Sequence, residues 1–346
     1  MSRSNLSDTV TGTGNIYCAY CGVLHDPGIE TSLEHVIPFA LGGSDKLTVV
    51  TCKRGNNDLG SAVDAPFIDF FPVSTRRFFL GLESTSGNEP SVDLGGKGWI
   101  AGREVRISHL ITGESHEAKI AKPTIVKKQA DGSEEWQISG DPRMVAEILQ
   151  GKLRKQTMLE KTITLKSGET LTLEGIEQLI AEATVETIDP SVVKTLQFDY
   201  LVSIRFFCKL ALAMGHLHFG RTFSSSTYAE RLRRAMRAKS VGDVDLPGAA
   251  IWPETTTVKP LLQQFAKRNE HTLVILDGTP PILLVSLFGE FDAVLPTDEL
   301  PSVGPPAVTG TGTVWRVELP SRRLTTCSVV EYISMLRQTA PSGGEK

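Results

Sequence analysis

The spacing of apolar and polar residues predicts both strands and helices along most of the chain. Alternating segments and short apolar runs predict β-strands at 103–111, 122–129, 134–140, 162–173, 273–278, 281–289, 291–297 and Thr313–Leu319. The segment 162–173 reads as a hairpin with its turn at Ser167–Gly168, and another turn falls at Asp131–Gly132. The chain is therefore rich in short strands joined by tight turns.

Apolar residues at helical spacing predict helices in five other segments. These are Arg143–Met158, Glu174–Ala183, a segment from after Pro190 to about Gly215, Thr227–Lys239 and Ser328–Gln338. The third is apolar on most of its faces, so we expect it to be the central helix of a second domain. Strands and helices follow one another without a regular βαβ repeat, which favours an α+β fold.

The local composition predicts where the chain divides. Residues 1–15 are rich in Ser, Thr, Gly and Asn and are expected to be a flexible leader, and residues 16–72 are dense in Cys, His, Gly and Asn. The segment 73–100 is predicted to be a linker or loop, because much of it is Gly, Ser, Pro and acid. Residues 101–346 would then form a larger α+β companion domain that binds, senses or oligomerises.

Composition and charge exclude several classes of protein. The 346 residues are 40% hydrophobic and 22% charged, with a net charge of −4. Such a balance is typical of a globular protein, and it excludes a generally basic nucleic-acid coat and a long acidic tail. The sequence has no run of ~18 apolar residues and no secretory signal, so we expect a cytoplasmic protein without a membrane span.

The cysteines are unevenly placed. Three of the five, Cys18, Cys21 and Cys52, lie near the start of the sequence. Because an odd number of cysteines without a signal favours a reducing compartment, metal binding is a better explanation than disulfides. A Cys-x-x-Cys pair is also found in redox proteins, but no βαβ pattern surrounds this one. Cys52 offers a third thiolate for a zinc ion.

A longer pattern follows the Cys-x-x-Cys pair. Glu34-His35-x-x-Pro38 is followed by Gly42-Gly43, and then by Cys52 with Asn56-Asn57 four and five residues further on. In this order and spacing, the segment resembles the HNH (ββα-metal) endonucleases in their zinc-knuckle subtype. The resemblance covers residues 16–64 and implies an N-terminal ββα-metal domain in front of the larger companion domain.

The resemblance also implies roles for individual residues. By position, His35 would be the general base that activates a water molecule. Glu34 and Asn56 would hold a catalytic Mg²⁺ or Mn²⁺, with Asn57 and Asp58 as neighbouring candidates for the second ligand. The cation would stabilise the leaving 3′ oxygen while a phosphodiester bond is hydrolysed.

Two positions depart from the family pattern. The second knuckle should end in Cys, but position 55 is Gly, so a structural Zn²⁺ would lack its fourth thiolate. His25 is the nearest candidate to replace it. The family also has an Asn that steadies the base, and the corresponding position here is Val49. We therefore expect His35 to be oriented by a backbone carbonyl alone.

Basic residues predict where nucleic acid would bind. Lys53 and Arg54 lie beside the motif, and Arg76 and Arg77 form a second local pair. Residues 200–240 contain eight Lys or Arg and one acid, a local charge of 8 − 1 = +7. This segment could be a DNA-binding face, an anion pocket or a solvated helix surface. The candidates within it are Arg231, Arg233, Arg234 and Arg237.

Taken together, the sequence predicts a metal-dependent HNH endonuclease that cleaves DNA, with RNA as another possible substrate. Such stand-alone proteins resemble prokaryotic antiviral defence effectors that form homo-oligomers. The rival interpretation is a non-catalytic nucleic-acid-binding or ligand-sensing protein built on a degenerate HNH scaffold. The Gly at position 55 and the Val at position 49 favour this rival.

Overall fold

The computed structural model divides the chain into two compact units, 1–90 with 198–346, and 91–197. The residues it describes are 15–94, 96–100, 103–112, 115–120, 124–129, 134–138, 142–159, 162–165, 167–182, 192–193, 199–257, 259, 262, 265–297 and 312–339. The predicted leader lies outside these residues, except for Asn15. Strands and helices are mixed in both units, as the α+β prediction requires.

The first segment of the larger unit forms two hairpins followed by helices. The strands are β1 (Ile16–Cys18), β2 (Val23–His25), β3 (Thr31–His35) and β4 (Thr48–Cys52). The helices are α1 (Lys53–Leu59), α2 (Ala65–Ile68) and α3 (Phe71–Phe79), with a π-helical turn at Gly60–Asp64 between the first two. Hairpin β3–β4 and helix α1 together form a ββα unit, because α1 follows β4 directly and packs on both strands.

The second segment of the larger unit supplies a helical layer and a six-stranded antiparallel sheet. The helices are α6 (Tyr200–Phe219), α7 (Arg221–Ser224), α8 (Thr227–Met236) and α9 (Val329–Thr339). The strands are β12 (Ala250–Ile251), β13 (Glu270–Leu276), β14 (Ile282–Leu287), β15 (Phe291–Pro296), β16 (Gly312–Glu318) and β17 (Arg323–Ser328). Their order in the sheet is β12-β15-β14-β13-β16-β17.

Helix α6 lies at the centre of the larger unit. It begins where the Asp199 carboxylate accepts a hydrogen bond from the backbone N–H of Leu201, as an N-cap residue does. The ring of Phe206 stacks on that of Phe67, with 3.9 Å between the ring centroids, and both side chains are fully buried. One hydrophobic core therefore joins the two segments of this unit. By length and composition alone α6 could span a membrane, but 67% of its most apolar window is buried, as in a core helix.

The smaller unit has its own sheet, hairpin and helices. A five-stranded sheet contains β5 (Ser91–Asp93), β6 (Gly96–Ile100), β7 (Arg103–Thr112), β8 (Ser115–Ile120) and β11 (Val192–Val193), and β9 (Thr124–Lys128) pairs with β10 (Glu134–Ile138). The helices are α4 (Pro142–Met158) and α5 (Leu173–Glu182). The predicted 162–173 hairpin closes through a bridge between Thr164 and Thr170, whereas the turn predicted at Asp131–Gly132 lies outside the described residues.

Two predicted segments differ in the structure. The segment 73–100 was predicted to be a linker or loop, but it contains most of α3 together with β5 and β6. Its Val92 is buried and β5 pairs with β7, so backbone pairing outweighs the local Gly and Ser content. The long helix predicted from Pro190 starts ten residues later, at Tyr200, where Asp199 caps it. Strand β17 was missed, because its half-buried polar residues lack a strong apolar pattern.

The compact units do not follow the predicted domain boundaries. Residues of the predicted 16–72 domain share one unit and one core with residues 198–346. The physical reason is that the buried apolar residues of 16–72, among them Ile37, Leu41 and Phe67, belong to the same core as those of α6 and the six-stranded sheet. Whether 16–72 and 101–346 act as separate functional domains stays a prediction.

Candidate metal centre and active site

Four potential metal ligands meet where the first hairpin contacts the start of α1. Cys18 ends β1, Cys21 follows in the turn, His25 ends β2, and Cys52 ends β4. Their ligand atoms all lie within 4.8 Å of one another, and the Sγ atoms of Cys21 and Cys52 are 3.4 Å apart. Three sulfurs and one imidazole nitrogen are a common tetrahedral ligand set for structural zinc. The cluster can therefore hold a zinc ion.

The arrangement leaves little room for a side chain at position 55. A Cβ atom at Gly55 would lie 2.8 Å from the Sγ of Cys21 and 3.0 Å from that of Cys52. The family's fourth Cys would therefore collide with the other ligands in this arrangement. His25 reaches the cluster from β2 instead, and its Nε2 is buried without a hydrogen-bond partner. An unpartnered buried nitrogen beside three thiols fits a metal ion, which agrees with the prediction for His25.

The three cysteine thiols of the cluster differ in the direction in which their pKa values are shifted. The hydrogen bond from Cys21 lowers the pKa of Cys18 to about 5, against the opposing effect of burial. The same hydrogen bond raises the pKa of Cys21, and burial raises that of Cys52. One thiolate is thus stabilised by its neighbours before any cation arrives, and a bound zinc ion would hold the other two as thiolates as well.

Two of the three predicted catalytic residues, Glu34 and His35, lie at the end of β3, and the third, Asn56, lies on α1. Glu34 and His35 are adjacent in a strand, so their side chains point to opposite faces of the hairpin. His35 is partly exposed, and its Nε2 lies 2.9 Å from Oδ1 of Asp45. A carboxylate only accepts hydrogen bonds, so Nε2 carries the proton and Nδ1 keeps the lone pair that a base needs.

The partner of His35 corrects one expectation. Val49 is buried and pairs with Glu34 across the hairpin, so it offers no side-chain partner to His35. The expectation that a backbone carbonyl alone orients His35 is wrong, because the carboxylate of Asp45 is its hydrogen-bond partner. Asp45 follows the Gly42-Gly43 turn, which places it opposite the end of β3. No sequence argument identified it, since an acid in a turn is usually solvated.

Glu34 points the other way, toward α6. The ammonium group of Lys209 donates hydrogen bonds to Oε1 of Glu34 and to Oδ2 of Asp64, the latter at 2.6 Å. Lys209 is completely buried, and both carboxylates are nearly so. Burial lowers the pKa of Lys209, but the two carboxylates outweigh burial and raise it. Burial raises the pKa of Asp64 to about 6 against the opposing effect of Lys209.

This arrangement does not fit a divalent cation at Glu34. One carboxylate oxygen is already bound by a buried positive charge, which would repel a second cation. Within the described residues, the Cys–His cluster is the one group of three or more His, Cys, Asp or Glu side chains close enough to hold a metal ion. Asn56 and Asn57 lie on α1, half-buried and exposed respectively, and their roles as ligands stay predictions.

The basic residues beside the motif divide into exposed ones and ones that bind backbone carbonyls. Lys53 and Arg54 are exposed in the first turn of α1 and pair with the surface acids Glu30, at 3.1 Å, and Asp58, at 4.0 Å. The buried guanidinium of Arg77 instead donates to the carbonyl of Ala40 at 2.7 Å, in the loop between β3 and β4. Arg76 binds the carbonyl of Arg268 and pairs with Glu290.

Two arginines of the basic segment 200–240 support the Cys-x-x-Cys turn. Arg233 is buried and donates to the carbonyl of Ala19 at 2.8 Å, and Arg237 reaches the carbonyl of Tyr20. Arg233 therefore uses its guanidinium group inside the protein, whereas Arg237 is exposed. Arg234 is exposed, and Arg231 lies over the ring of Tyr228. Binding of nucleic acid by any of these arginines stays a prediction.

Side chains from the six-stranded sheet and its connecting turn donate hydrogen bonds to the loop between β3 and β4. His271 is buried, and burial lowers its pKa to about 4. Its Nδ1 accepts from the backbone N–H of Phe288, so Nε2 donates to the carbonyl of Leu41 at 2.7 Å. Arg322 donates to the carbonyls of Phe39 and Gly43 in the same loop. The second segment thus fixes the turn that positions Asp45.

Sequence reasoning missed Lys209, Asp64, Asp45 and His271. One signal existed for Lys209: it is a lone charge in the apolar run FFCKLALAMG of α6, and such a charge needs a buried partner. Nothing in the sequence identifies that partner, because Glu34 and Asp64 are 175 and 145 positions away.

Comparison with known proteins is consistent with this site. Residues 18–72 match the family model described as HNH endonuclease. No curated protein matches the chain, and no solved structure does. The match runs from the last residue of β1 to the start of α3, and it includes the four clustered ligands and His35. Residues 18–72 are therefore similar to HNH endonucleases, and the Cys–His cluster is consistent with the zinc-knuckle subtype.

Proposed function

We propose that this protein is an endonuclease that hydrolyses phosphodiester bonds of DNA. The observation that carries the proposal is the geometry of His35. It lies at the accessible end of a strand in an HNH domain, and a carboxylate 2.9 Å from Nε2 fixes its tautomer. A base of this kind can remove a proton from a water molecule near neutral pH.

The proposed reaction is the hydrolysis of the bond between phosphorus and the 3′ oxygen of a phosphodiester. Nδ1 of His35 takes a proton as the water oxygen forms a bond to phosphorus. The bond from phosphorus to the 3′ oxygen breaks, and this oxygen takes a proton from solvent. The products are a 5′-phosphate and a 3′-hydroxyl. When bound, a Mg²⁺ or Mn²⁺ ion would neutralise charge on the reacting phosphate.

The exposed basic side chains of α1 would contact the nucleic-acid backbone. Lys53 and Arg54 stand at the start of the helix that follows β4, and both side chains reach solvent. Such contacts supply affinity without sequence selection, and they weaken as salt rises. We propose that the Cys–His cluster binds one structural Zn²⁺, which would fasten the first hairpin to α1 and hold these residues beside β3.

A cleavage assay tests the proposal. Supercoiled plasmid, single-stranded DNA and RNA would each be incubated with wild type and His35→Ala, with Mg²⁺ or Mn²⁺. We expect nicking or linearisation of DNA by wild type, and a loss of at least a hundredfold in His35→Ala. His109→Ala, in the smaller unit, is the histidine control. No cleavage with either cation, or equal cleavage by wild type and His35→Ala, would contradict the proposal.

A second candidate is a nucleic-acid-binding or ligand-sensing protein without catalysis. It is favoured by one observation, the engagement of Glu34 by Lys209, which removes a predicted metal ligand from the active face. In that case wild type and His35→Ala would bind DNA equally and cleave none. A cytoplasmic location, assembly into homo-oligomers and a role in prokaryotic antiviral defence are further parts of the proposal.

A further inference from the structure

A buried ammonium group lies between the two carboxylates behind the active strand. Lys209 donates to Glu34 from one side and to Asp64 from the other, which is the arrangement expected of a cation shared by two acidic ligands. We propose that Lys209 is a built-in cation that takes the place of a divalent ion at Glu34. Any exchangeable divalent cation of this nuclease would then bind without Glu34.

Burial makes the ammonium group hard to displace. Lys209 is completely inaccessible to solvent, and its helix neighbours Cys208 and Leu210 are buried as well. A divalent ion could replace it at Glu34 only if the ammonium group moved away from this carboxylate. The lysine would then keep Asp64 but lose one of its two counter-charges inside an apolar core, which is costly. Exchange with a dissolved cation is therefore strongly disfavoured.

The packing around the three residues holds them in place. Asp64 ends the π-helical turn, and Phe67 follows it in α2. Phe67 stacks on Phe206, which lies about one turn before Lys209 on α6. This aromatic pair fixes the distance between the two helical elements, and so between ammonium and carboxylate. The ion-pair cluster is therefore part of a packed interface and not a flexible surface contact.

The inference rests on the proposed function for its relevance, but Mn²⁺ binding tests it without nucleic acid. Electron paramagnetic resonance would measure free Mn²⁺ in titrations of the full chain, for wild type and Glu34→Gln. The matched control is Glu30→Gln, which removes an acid from the exposed pair with Lys53. We expect Mn²⁺ affinities that agree within about twofold among all three proteins.

A charge-removing variant of the lysine gives the converse result. Lys209→Met leaves Glu34 and Asp64 facing the vacated place, and Oδ1 of Asp64 is already buried without a hydrogen-bond partner. We expect this variant to bind one additional Mn²⁺ per chain, and Lys209→Met/Glu34→Gln to lose it again. If Lys209→Met does not fold, the comparison of wild type with Glu34→Gln decides alone.

The outcomes separate the inference from the proposed function. A tenfold or greater loss of Mn²⁺ affinity in Glu34→Gln, with an unchanged circular dichroism spectrum, would overturn the inference. Absence of a Mn²⁺ site in wild type would support it, since Glu34 would then bind no exchangeable cation. Failure of wild type to cleave nucleic acid would overturn the proposed function and leave the Mn²⁺ result standing.

Discussion

Two clusters of charged or metal-binding side chains flank the ββα unit, and they treat positive charge in opposite ways. The Cys–His cluster joins four ligand atoms within 4.8 Å and leaves Nε2 of His25 without a hydrogen-bond partner. The cluster around Lys209 joins two carboxylates to an ammonium group of the protein itself. The first is arranged to receive a cation, whereas the second already contains one.

The two clusters also differ in which parts of the chain supply their residues. The ligands of the Cys–His cluster all come from residues 18–52, although Arg233 supports the turn between Cys18 and Cys21. The Lys209 cluster exists only because α6 packs behind β3. The Cys–His cluster is thus assembled from nearby residues, whereas the ion-pair cluster beside the proposed base His35 needs a distant helix.

Removal of a zinc ligand is expected to have the largest effect. Cys52→Ser keeps an N-cap side chain at the start of α1 but removes a thiolate. We expect loss of zinc and a fall of about 4 kcal/mol or more in the free energy of unfolding, because metal binding is coupled to folding. Elemental analysis and urea unfolding would measure both. Cys327→Ser, outside the cluster, should change neither appreciably, and equal zinc in both variants would contradict the metal centre.

The next largest effect should follow from removal of the buried ammonium. Lys209→Met leaves two buried carboxylates without their shared partner and should lower the free energy of unfolding by about 3–5 kcal/mol. Lys53→Met, which breaks the exposed pair with Glu30, should cost no more than about 1 kcal/mol. Urea unfolding of both variants makes the comparison. Similar small losses would mean that the buried cluster does not stabilise the fold.

The third prediction concerns pH and the loop before Asp45. Burial holds the pKa of His271 at about 4, below its unfolded value of about 6.5, so folding favours the neutral ring. Its stabilising contribution is complete above pH 6.5 and is lost as the pH falls toward 4. The total loss is about 3 kcal/mol. The free energy of unfolding of His271→Gln should lack this part of the pH dependence, and parallel pH curves for the two proteins would refute the assignment.

The smallest effect tests why the family's fourth cysteine is absent. Gly55→Cys restores the knuckle sequence, but its Cβ would lie 2.8 Å from the Sγ of Cys21. We expect it to lower the free energy of unfolding by about 1–3 kcal/mol through overpacking. Gly60→Ala, at a helical position with open space around it, should be neutral or stabilising by up to about 1 kcal/mol. A thermal shift assay separates the two, and a more stable Gly55→Cys would contradict the geometry.

The sequence was a good guide to features that depend on neighbouring residues. Cys18, Cys21 and Cys52 are chemically distinctive and closely spaced, and His25 follows at the next strand end, so the metal centre could be proposed from spacing alone. Helices α4, α5, α8 and α9 and strands β13–β16 also follow from local apolar periodicity. The late start of α6, which Asp199 caps ten residues beyond Pro190, and the missed strand β17 are exceptions.

The features that the sequence did not reveal depend on tertiary packing. The pairing of Glu34 with Lys209 requires α6 to lie behind β3, and no local pattern specifies that placement. The hydrogen bond from His271 to the carbonyl of Leu41 is likewise a contact between distant segments. The hydrogen bond between His35 and Asp45 depends on the conformation of the loop between β3 and β4. Chemistry could be predicted residue by residue, whereas the partners of each residue could not.

Anomalous diffraction from a crystal soaked in Mn²⁺ would test the contrast between the two clusters most directly. Anomalous difference maps calculated from data at the zinc and manganese absorption edges distinguish the two metals. The account predicts a zinc peak among Cys18, Cys21, His25 and Cys52. It predicts no manganese peak at Glu34, with the Lys209 ammonium still hydrogen-bonded there. A manganese peak at Glu34 with Lys209 turned away, or no metal among the four ligands, would contradict it.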